Sequence, residues 1–131
     1  MVYLKQNWFT AKVLNRIAMA TGLAGAETLT VTRRSTGEPQ QIPVTTVLVD
    51  GQRYLVSTRG EAHWVKNVRA TARVSVANRT GTAHFTASEI PVEQRPPVLT
   101  AYRAKLGKTV EGYFRELPDA ADHPVFVLTP A

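Results

Sequence analysis

Between residues 28 and 67 the chain alternates short apolar runs with reversals too brief to hold anything but a turn. Leu29-Thr30-Val31-Thr32-Arg33 is followed by Ser35-Thr36-Gly37-Glu38-Pro39, an apolar run over 41–49, Asp50-Gly51, and a third run over 54–58. A parallel neighbour needs a crossover of about a dozen residues or more, whereas an antiparallel one needs only a tight turn. Asp-Gly between apolar runs is the signal of a two-residue hairpin loop. Strands therefore follow strands as hairpins, and a parallel α/β sheet is disfavoured.

The rest of the chain extends the pattern. Residues 63–70 read as a short helix leading to a strand over 73–77, and Asn78-Arg79-Thr80-Gly81 reverses the chain into a strand over 82–90. A helix follows over 91–106, stopped by Gly107, then a shorter one over 109–117 and a last strand over 124–129. Residues 2–20 also favour a helix, with Trp8, Phe9, Val13, Leu14 and Ile17 largely on one side, ended by Thr21-Gly22 and Gly25. Six strands with helices gathered at the ends predict an α+β fold, a mainly antiparallel sheet closing into a small barrel. At 131 residues with no linker or repeat, one domain over 1–131 is expected.

Composition narrows the chemistry. There is no cysteine, so disulfides, thiolate catalysis and cysteine-ligated metals are excluded. His63, His84 and His123 lack the i, i+4 spacing that builds a helical zinc site, and no metal is expected. The ten carboxylates are scattered, with no recognisable acid/base pair, nucleophile elbow, P-loop or dinucleotide fingerprint. A polar, cationic site without its own reactive side chains borrows its chemistry from a cofactor. The formal net charge is +6, which favours an anionic small-molecule ligand. Its lysines and arginines are dispersed rather than concentrated on one element, which speaks against nucleic acid. No apolar run reaches membrane-spanning length and residues 2–16 are interrupted by charges, so a cytoplasmic protein is expected, with a basic amphipathic N-terminus suited to peripheral membrane contact.

Two turns collect the cations. Arg33 and Arg34 stand beside Ser35-Thr36-Gly37, where backbone N–H groups, hydroxyls and a guanidinium suit phosphate oxygens. A polar hairpin tip with solvated arginines is the alternative at this point. Arg59-Gly60 after the third strand repeats the pattern, either as a ligand approach or as an ordinary strand-to-helix turn. Trp64 and Asn67 share one face of the following helix.

In their order these residues resemble the deazaflavin-dependent nitroreductase family, actinobacterial split-barrel proteins that use coenzyme F420. That family shows a strand ending in Gly-Arg-Lys-Ser/Thr-Gly, a Pro-Arg, an Asn/Asp-Pro-Leu strand, a Gly-Gly segment and a Trp-x-x-Asn-Leu helix. The matching positions here are Arg33-Arg34-Ser35-Thr36-Gly37, Pro39-Gln40, Ile42-Pro43-Val44, Arg59-Gly60 and Trp64-Val65-Lys66-Asn67-Val68. The resemblance implies an FMN-binding split-barrel-like fold and hydride transfer from reduced coenzyme F420 to a small electron-poor acceptor such as a quinone, enone or nitro compound. It places the coenzyme against Arg33, Arg34, Ser35, Thr36, Gly37, Gln40, Pro43, Val44, Ser57, Thr58, Arg59, Gly60, Trp64 and Asn67. Tyr102 falls where the family sets a tyrosine over the substrate and is the expected proton donor, with Trp8 covering the same pocket. Ser35 stands where the family has lysine and Gln40 where it has arginine; each lost charged hydrogen bond is worth about 1.5–3 kcal/mol. Two further implications are carried forward: a non-catalytic barrel holding a fatty acid or other amphipathic anion, and FMN as an alternative cofactor. Split barrels commonly pair through their sheets, so a homodimer is compatible with the resemblance.

Overall fold

The computed structural model describes residues 27–131. The helix expected over 2–20 lies outside the described residues. Seven strands form one antiparallel sheet: β1 (Glu27–Thr32), β2 (Pro39–Val44), β3 (Val47–Val49), β4 (Gln52–Val56), β5 (Arg73–Asn78), β6 (Gly81–Glu89) and β7 (Val125–Pro130). Among the described residues three α-helices accompany them: α1 (His63–Ala70), α2 (Arg95–Leu106) and α3 (Lys108–Glu116). The strand order is β2-β1-β5-β6-β7-β4-β3.

Each hairpin has a local cause. Arg33 N donates to Glu38 O and Gly37 N to Arg33 O, both at 2.8 Å, and Gly37 sits at φ 77, closing the β1–β2 hairpin. Asp50 and Gly51 both adopt positive φ, 50 and 79, as the twist-matched two-residue turn between β3 and β4 requires. Asn78 accepts the Thr80 amide at 2.9 Å and turns β5 into β6.

The sequence reading treats 41–49 as one strand. The structure divides it: β2 and β3 lie at opposite edges of the sheet, with only Thr45 and Thr46 between them. Two residues cannot span seven flat strands, so the sheet curls until its edges meet at this corner, which makes it a split barrel. Fully buried Thr46 fastens the corner. Its amide donates to Glu27 Oε1 at 3.1 Å, its hydroxyl accepts from Arg53 Nη1 at 2.6 Å, and its carbonyl accepts from Lys105 Nζ at 2.8 Å. Glu27, β1's first residue, also pairs with Arg53 at 3.7 Å.

The sheet is buried on both sides where β4 and β7 run. Leu29, Val31, Leu55, Val74, Val76, Phe126 and Leu128 fill the barrel interior, plugged by Trp64, Val65 and Val68 of α1. Val47, Val56 and Val125 face the other way, against Val98, Leu99 and Tyr102 of α2 and Val110 and Phe114 of α3. Strands covered on both faces lose the apolar-polar alternation, which is why 125–128 reads as an unbroken apolar run. Pro96 and Pro97 stand in the first turn of α2, where a missing N–H costs nothing, and Gly107, at φ 58, separates α2 from α3.

Candidate functional site

A cleft of about 130 Å³ opens where β2 leaves the barrel and the two layers meet. One wall is Ile42, Pro43, Val44 and Thr45; the opposite wall is Val56, Thr58, Arg59 and Tyr102. Ala62 and Trp64, at the start of α1, form its end. Apolar surface on one wall and hydroxyls with a guanidinium on the other suit a flat, partly anionic ligand.

The polar wall is tied down by the turn over 57–60. Gly60 has φ 89, a conformation that favours glycine, and its carbonyl accepts both the Ser57 hydroxyl and the Ala62 amide, the latter at 2.8 Å. Ser57 is itself buried, so this residue sets the turn rather than lining the cleft. Thr58 Oγ1 lies 2.6 Å from the Tyr102 hydroxyl on α2. Burial holds the Tyr102 phenol above the ordinary tyrosine range, against the pull of the Thr58 hydrogen bond, and Tyr113 nearby adds to the rise. Arg59 reaches α3, donating from Nη2 to the Tyr113 hydroxyl at 2.6 Å with its guanidinium carbon 4.7 Å from that ring's centroid. The helix α1 begins at His63, and its N-cap residue Ala62, which makes no side-chain capping bond, lines the cleft end.

The β1–β2 hairpin meets the same helix beside the cleft. Asn67, 3% exposed, accepts from the Arg34 amide at 3.1 Å and from Arg34 Nη1 at 2.7 Å, and donates from Nδ2 to Gln40 Oε1 at 2.8 Å. Arg34 Nη1 also donates to the His63 carbonyl at 3.3 Å. Gln40, standing in place of the resembled family's arginine, is thus built into this brace. Trp64, one turn back on α1, packs on Phe126 with centroids 6.1 Å apart and also lines the cleft.

Of the residues singled out from sequence, the structure brings Pro43, Val44, Thr58, Arg59, Trp64 and Tyr102 to one cleft. Arg34, Gln40 and Asn67 form the adjoining brace, and Ser57 and Gly60 shape the turn. Arg33, Ser35 and Thr36 stand exposed on the hairpin, whose Gly37 lines a separate groove with Arg73 and His84. Trp8 lies outside the described residues. Sequence reasoning missed Tyr113, 54 residues from the Arg59 it braces; no local pattern marks such a pair. Among the described residues no cluster of three or more metal-ligating side chains occurs, and no helix is long and apolar enough to cross a membrane.

Residues 6–130 match the sequence profile of the F420H(2)-dependent quinone reductase family. The chain belongs to that family. No curated protein matches it in sequence. Among solved structures, an F420-H2 dependent reductase, FDR-A, is similar at 23% identity and TM-score 0.62, covering 80% of this chain and 94% of that one. The protein Atu2129 of unknown function from Agrobacterium tumefaciens is similar at 19% identity and TM-score 0.66, over 81% of this chain and 48% of that one; the family member described here spans about half its length. HutZ, the heme storage protein of Vibrio cholerae, shares the fold at 15% identity and TM-score 0.62, with 89% of each chain covered.

Proposed function

We propose that the protein is an F420-dependent oxidoreductase reducing a small, flat, electron-poor acceptor, a quinone, enone or nitro compound. The observation that carries this reading is the cleft itself: an apolar wall facing Thr58, Arg59 and Tyr102, in a chain of the F420H(2)-dependent quinone reductase family. When bound, the coenzyme supplies the hydride. Pro43, Val44 and Trp64 would pack against its ring, while Arg59, with Arg34 at the adjoining brace, would meet its anionic tail. Arg33, Ser35, Thr36 and Gly37 would border that tail from the hairpin. The Tyr102 hydroxyl, held by Thr58 at 2.6 Å, would donate the proton that accompanies the hydride to an acceptor oxygen. The apolar wall would shield the reduced ring from water.

The test is a fluorescence titration with oxidised coenzyme at low and moderate salt. Saturable, salt-weakened binding is expected, with Arg59→Ala reducing affinity about tenfold or more, the equivalent of one charge-assisted hydrogen bond. Absence of binding at both salt concentrations would refute the reading. A second reading, a non-catalytic barrel holding a fatty acid or similar amphipathic anion, is favoured by one observation: Arg34 and Gln40 are already engaged by Asn67. Lipid uptake in native mass spectrometry without coenzyme binding would select it.

A further inference from the structure

Arg53, Arg69, Arg95 and Arg103 each meet a glutamate at ion-pairing distance. Arg59, which lines the cleft, meets none among the described residues. Glu61, two residues along, is held by Arg69 at 2.9 Å, and Glu111 of α3 is held by Arg103 at 2.9 Å. The partner of Arg59 is a neutral phenol instead. Its Nη2 donates to the Tyr113 hydroxyl at 2.6 Å, and the guanidinium carbon lies 4.7 Å from the ring centroid.

We propose that Tyr113 is a positioning residue for anion recognition at the cleft, fixing the Arg59 guanidinium without neutralising it. A carboxylate in the same place would hold the guanidinium as firmly and cancel its charge before a ligand arrived. A phenol accepts the hydrogen bond through its oxygen and adds the attraction of its ring, so the side chain is ordered and its charge is left over. Among the described residues Arg59 donates no other side-chain hydrogen bond. Its Nε and Nη1 therefore keep their N–H groups for a phosphate or carboxylate oxygen.

The fold holds both ends of this contact. Tyr113 precedes Phe114, which is buried in the core under α2 and α3, and its own ring packs half-buried at the edge of that core. The Tyr113 carbonyl accepts the Leu117 amide at 2.8 Å where α3 ends. Arg59 leaves the turn over 57–60, which the Ser57 hydroxyl and the positive φ of Gly60 set. An arginine ordered in advance avoids the loss of rotamer freedom that a free one undergoes on binding.

The role in coenzyme binding rests on the reading of the cleft as the coenzyme site, whereas the ordering of Arg59 does not. Tyr113→Phe keeps the ring in its core and removes only the acceptor. In the full chain 15N-labelled at arginine, the Arg59 side-chain signals are assigned by their absence from Arg59→Ala. They should be sharp and separate in the wild type and averaged in Tyr113→Phe. Identical Arg59 signals in the two proteins overturn the proposal. In the coenzyme titration, Tyr113→Phe should weaken affinity about three- to tenfold, the equivalent of one side chain immobilised on binding, and keep the wild-type salt dependence. On the Arg59→Ala background the same substitution should change nothing. A further loss there overturns the positioning role, because Tyr113 would then act other than through Arg59. Should the coenzyme bind none of these proteins, the proposed function fails, and inorganic pyrophosphate followed through the Arg59 signals decides. A tighter response in the wild type than in Tyr113→Phe upholds Tyr113 as the holder of an anion-receptive arginine; equal responses overturn it.

Discussion

Asn67→Ala tests the brace beside the cleft. The Asn67 side chain, 3% exposed, holds two hydrogen bonds from Arg34 and gives one to Gln40. Removing it leaves the half-buried Arg34 amide without an acceptor, a cost of about 1–2 kcal/mol. The bond to the exposed Arg34 guanidinium contributes about 0.5–1 kcal/mol, because water and the His63 carbonyl replace it. The Gln40 amide returns to water at little cost. The expected loss is therefore about 1.5–3 kcal/mol, which at a typical urea m-value of about 2 kcal/mol/M lowers the unfolding midpoint by roughly 1 M with the slope unchanged. Urea denaturation followed by tryptophan fluorescence reads it directly. Gln40→Ala alone should cost about 0.5 kcal/mol and nothing further on the Asn67→Ala background, since its partner is already gone. A midpoint shift under about 0.2 M, or additive single and double variants, would show that the three residues do not act as a unit.

Tyr102→Phe should cost under about 1.5 kcal/mol of stability, one hydrogen bond to Thr58, yet lower turnover about 100-fold or more if the phenol is the proton donor. Because burial raises the Tyr102 pKa, the donor stays protonated as pH rises, and the wild-type rate should show no Tyr102-dependent fall below about pH 10, the ordinary tyrosine value. Arg69→Met should destabilise by about 2–3 kcal/mol in thermal or urea unfolding, because it strands Glu61, whose side chain is 9% exposed, and leaves Glu89 paired with Arg95 alone. The Arg69 hydrogen bond depresses the Glu89 pKa, so its stabilisation is present above the unfolded value of about 4.3 and is lost as pH falls through the folded one. Glu89→Gln should flatten that acid limb of a stability-versus-pH curve. Gly51→Ala, at φ 79 with open space around the added carbon, should cost about 1 kcal/mol through backbone strain alone, and Gly51→Asn less.

What was legible in the sequence divides by range. The hairpins were readable because each is decided by adjacent residues: Asp50-Gly51, Asn78 to Gly81, and the stretch ending at Gly37. The helix over 63–70 was readable as far as its terminal residues. The cleft residues Pro43, Val44, Thr58, Arg59 and Trp64 lie in short contiguous runs, so a family resemblance in order of motifs could reach them. The ties that set their geometry span longer distances. Arg59 to Tyr113, Thr58 to Tyr102, and Ser57 to His123 are separated by 54, 44 and 66 residues. They depend on where α2, α3 and β7 pack against one four-residue turn, and no local periodicity encodes that.

The division of 41–49 is different, because its signal was present. Ile42 and Val44 occupy even positions, Val47 and Val49 odd ones, so the period-2 phase slips across Thr45-Thr46. A slip of one residue moves every following side chain to the other face of a sheet. Ile42 and Val44 accordingly pack on the barrel interior, while Val47 and Val49 join the core under α2 and α3. The slip is therefore the point at which the chain changes cores. It must be polar, because Thr46 there makes the backbone and hydroxyl bonds that join Glu27, Arg53 and Lys105. It must also border the cleft, because a cleft forms where two cores part, and Val44 and Thr45 line it. The same two threonines that end one strand and start another thus close the barrel and open the pocket beside it.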